Sequence, residues 1–121
     1  AEADKIVLKT LEIIKYFKPL YYFIENPMGR LKDREIMRTP VALTYYVVDY
    51  CMYSDWGYRK RTCIWTNKKN FQPLMCNKKC GNMIDGHHTN NLGNNNHKTK
   101  TFTLQERYRI PPKLIYSLLT D

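Results

Sequence analysis

Two short segments carry residue types that could act together on a polar substrate. Residues 25–27 form a Glu-Asn-Pro corner directly after an apolar run. Residues 59–61 form an Arg-Lys-Arg cluster that opens another run rich in strand-forming residues. A carboxylate at the exit of a buried strand lies where open α/β sheets bind ligands. Two guanidinium groups can hold a phosphate or a base carbonyl. The residue types therefore predict a site for a polar, nitrogen-containing substrate.

Each segment also has a purely structural interpretation. Because side chains alternate along a strand, Arg59 and Arg61 are predicted on one strand face and Lys60 on the other. The same cluster could be the charged, solvated edge of a sheet. Likewise, Asn26 and Pro27 could simply turn the chain where a strand ends. The residues alone leave both interpretations open.

The surrounding sequence supplies the elements that would position these side chains. Apolar residues recur at helical spacing over residues 4–17, which predicts an amphipathic helix that ends before Pro19. Residues 20–24 are predicted as a central parallel strand that follows this crossover helix. Residues 41–50 and 59–66 are predicted as a hairpin, and the two prolines at 111–112 open a last helix. The expected fold class is α/β, ending in an antiparallel hairpin.

The charge and composition favour a polyanionic partner. The net charge is +9 over 121 residues, and nucleic acid is the usual partner of such a chain, although a basic surface can also lack a specific ligand. Interleaved basic and aromatic side chains could track phosphates and stack on bases, unless some of these aromatic residues belong to the core of the hairpin. The predicted DNA-binding residues are Trp56, Tyr58, Lys60, Lys68 and Lys69.

Residues 67–100 are poor in apolar side chains and rich in Asn, Lys, Gly and His, so we predict a low-complexity basic insertion there. We expect no secretory signal and no membrane span, and hence reduced thiols or a metal site before disulfides. Cys51 and Cys63 lie on the predicted hairpin strands and are predicted to pack as small hydrophobic residues. The residues whose types suit zinc are Cys76, Cys80, His87 and His88. A basic loop with free thiols is the alternative to that metal site.

The order and separation of the two segments resemble the target-base site of cytosine-C5 DNA methyltransferases, above all the small viral and phage enzymes. That family has a Glu-Asn-Val corner, followed downstream by a Gln-x-Arg-x-Arg segment on a strand. Glu25 and Asn26 match the corner, with proline replacing valine, and Arg59 and Arg61 match the two arginines. Gly57 stands at the glutamine position, so no role is carried over for that glutamine. The resemblance covers most of residues 4–67 and the last helix.

The resemblance implies a role for each matched residue. Glu25 would hold the N3 edge of a cytosine that has been flipped out of the DNA stack. Asn26 would support the loop that carries the nucleophilic cysteine. Arg61 would reach the cytosine carbonyl, and Arg59 would help to order the site. S-adenosylmethionine would be the methyl donor and DNA the partner.

The resemblance also implies that residues 1–121 are the C-terminal part of a single, partial Rossmann-like methyltransferase domain. The sequence shows no glycine-rich cofactor loop and no Pro-Cys motif, and Arg107 and Tyr108 replace the Gly and Asn of the family's last motif. We therefore expect the chain to be incomplete as an enzyme and to work with a missing N-terminal half or a partner chain. The alternative is a non-catalytic basic nucleic-acid-binding protein derived from such an enzyme. The expected location is intracellular, in a virus-infected host cell or a bacterial cytoplasm.

Overall fold

The computed structural model describes residues 2–92 and 101–120. Its helices and strands are, in chain order, α1 (Glu2–Phe17), β1 (Phe23–Pro27), β2 (Tyr45–Asp49), β3 (Arg61–Thr66), β4 (Met83–Ile84), β5 (His87–His88), α2 (Leu104–Tyr108) and α3 (Pro112–Leu119). Single 3-10 turns lie at Leu31–Asp33, Glu35–Met37 and Tyr50–Met52. The chain divides into a first unit, Ala1–Val47 with Thr62–Asn70, and a second unit, Val48–Arg61 with Phe71–Asp121. No helix in the described ranges is long and apolar enough to cross a membrane.

Helix α1 gives the first unit one side of its core, and it confirms the helix predicted there. Acidic side chains stand in its first turn and a lysine in its last, which complements the helix dipole. Leu11 is the buried residue of the helix and packs in a cluster with Met37, Ala42, Cys63 and Trp65. The first unit is therefore held by helix-on-sheet packing around this cluster.

The main sheet has three strands in the order β1-β3-β2, and β1 pairs with β3 in antiparallel orientation. The predicted central parallel strand is thus an edge strand of this sheet, with an antiparallel neighbour. Glu25 and Asn26 lie within β1, opposite Ile64 and Cys63, and not in a corner after it. An edge strand tolerates the terminal proline because its missing N–H is not needed by an inner neighbour. Since Ile24 packs against the core cluster, alternation places Glu25 on the other face of β1.

The predicted hairpin strands are neighbours in the sheet, but both are shorter than expected. The first gives way to a 3-10 turn after Asp49, and the second begins at Arg61. Lys60 has a φ of 41°, in the left-handed region, so it breaks the alternation of a strand. The prediction that Arg59 and Arg61 share one strand face was therefore wrong.

The second unit contains regular structure that the composition of residues 67–100 concealed. Strands β4 and β5 form a small antiparallel hairpin joined by Asp85 and Gly86. Both residues have positive φ, 51° and 79°, as a two-residue hairpin turn of the Asp-Gly kind requires. The insertion is thus partly folded, while its residues 93–100 lie outside the described ranges.

Two short helices complete the second unit. Helix α2 was not predicted, although a capping box marks it: the Thr103 hydroxyl accepts from the Glu106 N–H, and the Glu106 carboxylate accepts from the Thr103 N–H. Helix α3 begins at Pro112, as the proline pair predicts, and buries Leu114 and Leu118. Aliphatic packing therefore fixes the last helix within its unit.

We expect Leu11→Ala to lower the free energy of unfolding by about 2–5 kcal/mol, because it leaves a cavity between helix and sheet. Leu8→Ala is the matched control on the same helix. Leu8 is 49% exposed and Leu11 is 8% exposed, so the control should change stability by less than about 0.5 kcal/mol. Urea unfolding of both variants checks this; equal effects would contradict the packing of α1 described above.

Candidate functional site

A buried carboxylate organises the polar centre of the second unit. Asp49 ends strand β2, and its side chain is 0% exposed. Its Oδ1 accepts a hydrogen bond from Arg61 Nε and its Oδ2 one from Arg61 Nη2, both at 2.9 Å. The backbone N–H of Cys76 also donates to Oδ2, at 2.7 Å. Every oxygen of this buried charge is thus matched by a donor, as a buried ion requires.

The pair fixes the charge of both partners. Burial opposes ionisation of Asp49, but the hydrogen bonds from Arg61 and from the Cys76 N–H outweigh it and lower the pKa of the carboxyl. The hydrogen bonding between Arg61 and Asp49 also raises the pKa of the Arg61 guanidinium. Asp49 was missed by the sequence reasoning, although an aspartate that ends a strand of apolar residues was the signal that could have found it.

The guanidinium of Arg61 is held by Asp49 but is not fully buried. The bonds to Asp49 use Nε and Nη2, and the side chain remains 31% exposed. Since the guanidinium is a rigid fork with five donors, a pair on one edge orients the others. The structure therefore places Arg61 where it could present oriented donors to a ligand carbonyl.

The neighbouring basic residues have different surroundings. Arg59 is exposed, and it lines a surface cavity of about 380 Å³ together with His88. Lys60 donates to the carbonyl oxygen of Arg107, and its ammonium lies 5.1 Å from the centre of the Tyr50 ring. The predicted phosphate contact of Lys60 would have to compete with these interactions.

The predicted DNA-stacking aromatic residues divide between core and surface. Tyr58 is 1% exposed and meets the Phe102 ring edge-on at 5.0 Å, so the structure favours the core alternative for this residue. Trp56 is half-buried, and the guanidinium of Arg109 lies 3.7 Å from its ring centre. That cation–π contact already occupies a face of the indole.

The two predicted lysines of the first unit also differ. Lys68 is 3% exposed, and its ammonium lies 6.0 Å from the ring centre of Tyr21. Lys69 is exposed. A buried lysine cannot neutralise a phosphate on the surface without leaving its packing, so Lys69 remains the better candidate for a DNA contact.

The predicted catalytic residues are divided between the units. Glu25 and Asn26 are half-buried on β1 in the first unit, whereas Arg59 and Arg61 belong to the second. Strand β1 holds Glu25 and Asn26 in the first unit, and Asp49 holds Arg61 in the second. Their common action on one substrate therefore stays a prediction.

The metal-ligand types gather in a set that differs from the predicted one. One ligand atom from each member lies within 4.8 Å of all the others, and the members are Cys51, Cys76, Cys80 and His88. His87 is exposed and is not a member, because adjacent residues of a strand point to opposite faces. Cys51 joins through the 3-10 turn that follows β2. Cys51 is buried, as predicted for a small packed residue, but it lies in this turn and not on the predicted strand.

Cys63 behaves as predicted. It lies on β3 in the core of the first unit, with its sulfur 3.6 Å from that of Met28. Burial raises the pKa of its thiol, so it stays protonated and inert.

The described residues thus form a mixed helix-and-strand protein with antiparallel sheets, a carboxylate on an edge strand and an arginine held by a buried aspartate. Comparison with known proteins finds a viral protein that this chain resembles. The chain is 40% identical, over 94% of its length, to a Frog virus 3 (isolate Goorha) protein named "Probable DNA (cytosine-5)-methyltransferase". The resemblance predicted from the sequence is thereby confirmed. The chain spans about half of that relative, 55% of its length. No protein-family model and no solved structure matches the chain.

We expect Asp49→Asn to lower the free energy of unfolding by about 3 kcal/mol at neutral pH, near the lower end for a broken buried ion pair because Arg61 can rehydrate. Asp55→Asn, at an exposed aspartate of the same unit, is the matched control and should have little effect. Urea unfolding at pH 7 measures both.

The pH dependence gives a second test of the pair. A carboxyl with a depressed native pKa adds stability above its unfolded pKa, which is about 3.9, and that stability is lost as the pH falls through the native pKa. The wild-type protein and Asp49→Asn should therefore differ most near neutral pH and converge below about pH 4. A difference that is constant from neutral pH into strong acid would contradict an ionised Asp49.

Proposed function

We propose that this chain is the target-base-binding half of a cytosine-C5 DNA methyltransferase, which transfers a methyl group from S-adenosylmethionine to cytosine in DNA. The observation that carries the proposal is the 40% identity, over 94% of the chain, to the viral relative. Because the chain spans 55% of that relative, the complete activity is proposed for the longer protein that includes this segment.

Glu25 is proposed to bind the flipped cytosine. It is half-buried on β1, on the face opposite the residues that pack against the core cluster. A carboxylate on a paired strand is held more rigidly than one on a loop, which suits a group that must meet one edge of a base. At the N3 edge of the ring, it would hold or share the proton as the nucleophile adds to C6.

Arg61 is proposed to bind the carbonyl oxygen of the same base. The two hydrogen bonds that Arg61 donates to Asp49 support this role, because they orient the guanidinium while the side chain stays partly exposed. Arg59, exposed and close by in sequence, is proposed to order the site, and Asn26 to support the nucleophile's loop. In this reading Asp49 is a positioning residue that acts through Arg61.

The cofactor is proposed to bind outside this chain. S-adenosylmethionine supplies the methyl group when it is bound. Around the family's last motif, Tyr108 is exposed and Arg109 stacks on Trp56, so bulky or engaged side chains stand there instead of a small, open cradle. These residues do not fit a direct contact with the cofactor. The cofactor loop and the nucleophile are therefore proposed for the missing N-terminal half or a partner chain.

The exposed apolar surface of α1 supports that arrangement. Large apolar side chains are exposed along the helix and just after it, among them Ile6, Leu8, Ile13, Tyr16, Phe17 and Leu20. Several exposed large apolar side chains on one helix are typical of an interaction surface. We assign this surface to the remainder of the methyltransferase domain. In the complete, Rossmann-like sheet, the remainder would also pair with β1, which is an edge strand among the described residues.

In the complete enzyme, we expect Glu25→Gln to lower the rate of methyl transfer by about 10²–10⁴-fold, because the carboxylate holds or shares the ring proton most strongly as the nucleophile adds. DNA affinity should change little. Glu35→Gln, at an exposed glutamate, is the matched control and should leave the rate unchanged. Single-turnover transfer of a labelled methyl group and DNA binding are measured in parallel. Unchanged turnover in Glu25→Gln would remove the main support for the proposal, and DNA binding without transfer by the wild type would favour a non-catalytic DNA-binding protein.

We also expect the chain to bind duplex DNA in a salt-dependent manner. Each neutralised phosphate adds about 0.9 to the slope of log affinity against log salt. Lys69→Ala should reduce the magnitude of this slope by about 0.9, the value for one phosphate contact. Lys68→Ala, at a buried position, should leave the slope unchanged. Fluorescence anisotropy over a salt series measures the slopes. Equal slopes for all three proteins would contradict a phosphate contact at Lys69.

A further inference from the structure

We propose that Cys51, Cys76, Cys80 and His88 bind one zinc ion in a closed, structural site of the second unit. Three thiolates and an imidazole form a Cys₃His set, which is an established ligand set for structural zinc. All four residues belong to the same unit. The proposal is independent of methyl transfer, because it concerns a metal that stabilises the fold.

The separations between the ligand atoms suit a single tetrahedral ion. The four atoms lie within 4.8 Å of one another, and Cys76 Sγ is 3.5 Å from His88 Nε2. Zinc bonds of about 2.3 Å to sulfur and about 2.0–2.1 Å to nitrogen place such a sulfur–nitrogen pair about 3.6 Å apart and two sulfurs about 3.8 Å apart. The longest separation between ligand atoms would have to shorten by about 1 Å for the site to close around an ion.

The backbone around two of the cysteines is arranged to stabilise thiolates. The Lys78 N–H donates to Cys76 Sγ at 3.3 Å, and the Asn82 N–H donates in the same way to the Cys80 sulfur. Each bond comes from the residue two positions after the cysteine. Such N–H groups support the charge of a bound ligand and orient it.

The turn geometry that produces these bonds is specific. Lys78 has a φ of 69° and Gly81 a φ of 87°, both in the left-handed region, so the backbone bends shortly after each cysteine. Burial opposes ionisation of Cys80, but the Asn82 N–H and the neighbouring thiols outweigh it and lower the pKa of this thiol. Burial, followed by the thiols of Cys76 and Cys80, raises the pKa of Cys51. A metal ion would favour deprotonation of that buried thiol as well.

The ligands come from a turn at Cys51, a loop with Cys76 and Cys80, and a hairpin with His88, and hydrogen bonds already align these segments. The Asn82 amide donates to the carbonyl oxygens of Cys51 and Ser54, at 3.0 and 2.9 Å. Asp49 accepts the N–H of Cys76, and the β4–β5 hairpin carries His88 opposite Met83. The strands and helices of this unit are short, so a metal that joins the segments would replace part of a missing core.

The charge around the cluster also suits the bound form. Three thiolates exceed the charge of Zn²⁺ by one. Arg59 lines the cavity beside His88, and its positive charge, second to burial, lowers the pKa of that imidazole. Asp49 acts in the opposite direction but is paired with Arg61. Arg59 lines the same cavity as Cys76 and His88, so its positive charge would offset part of the excess negative charge of three bound thiolates.

The adjacent histidines provide a matched pair of variants for the test. The 121-residue chain is purified under reducing conditions without chelator, and its zinc content is measured by mass spectrometry. The expected content is about one zinc per chain. His87→Ala should retain the metal. His88→Ala should bind zinc at least about 100-fold more weakly in competition with a chromophoric chelator, since losing a direct ligand exceeds the usual second-shell effect.

Cobalt substitution of the wild-type chain tests the ligand set without relying on a variant that folds poorly. Co²⁺ should give the intense visible bands of a tetrahedral thiolate site, and zinc should displace it. Removing the metal with a chelator should lower the unfolding midpoint. Reduced protein that takes up no metal would overturn the proposal, as would equal loss in His87→Ala and His88→Ala. A disulfide among Cys51, Cys76 and Cys80 that persists under reducing conditions would also overturn it.

Discussion

The buried carboxylate of Asp49 is the constraint on which the polar half of this protein depends. A charge with no solvent exposure must be matched by donors, and breaking such a pair costs about 3–5 kcal/mol. Both oxygens of Asp49 are matched, by the guanidinium of Arg61 and the backbone N–H of Cys76. One carboxylate therefore fixes the end of β2, the beginning of β3 and the cysteine-bearing segment. Any change in one of these three is expected to disturb the other two.

This arrangement joins the proposed base-binding arginine to the proposed metal site. Arg61 is oriented by Asp49, and Asp49 is held by the same backbone that presents Cys76. A buried ion pair adds little net stability compared with apolar packing, but it does define geometry. We therefore interpret the pair as a device that sets the direction of a guanidinium. A zinc ion bound to Cys76 would make the backbone that holds Asp49 more rigid, without contacting the substrate.

Local patterns predicted the parts of the fold that local physics decides. The apolar spacing of α1 and the proline pair of α3 identify both helices, because helical periodicity and N-terminal proline act within a few residues. The family resemblance could also be recognised from the sequence, since its motifs are short and follow one another in a fixed order. The orientation of β1 could not be predicted, because this strand pairs with β3, which lies far from it in the sequence, and no local pattern encodes that pairing. The left-handed backbone at Lys60 and the burial of Tyr58 likewise arise from tertiary packing, which overrides strand propensity.

The cysteines show why ligand sets are harder to predict than folds. Cys51 and Cys63 looked equivalent, each on a predicted hairpin strand, yet the structure gives them different chemistry. Cys63 stays on its strand and meets the sulfur of Met28 in an apolar core. Cys51 leaves its strand through a 3-10 turn and meets two thiols and an imidazole brought from residues 76–88. The deciding step is the Asp85–Gly86 turn, which selects one of two adjacent histidines by strand alternation. A metal site thus depends on backbone geometry that residue spacing alone leaves open.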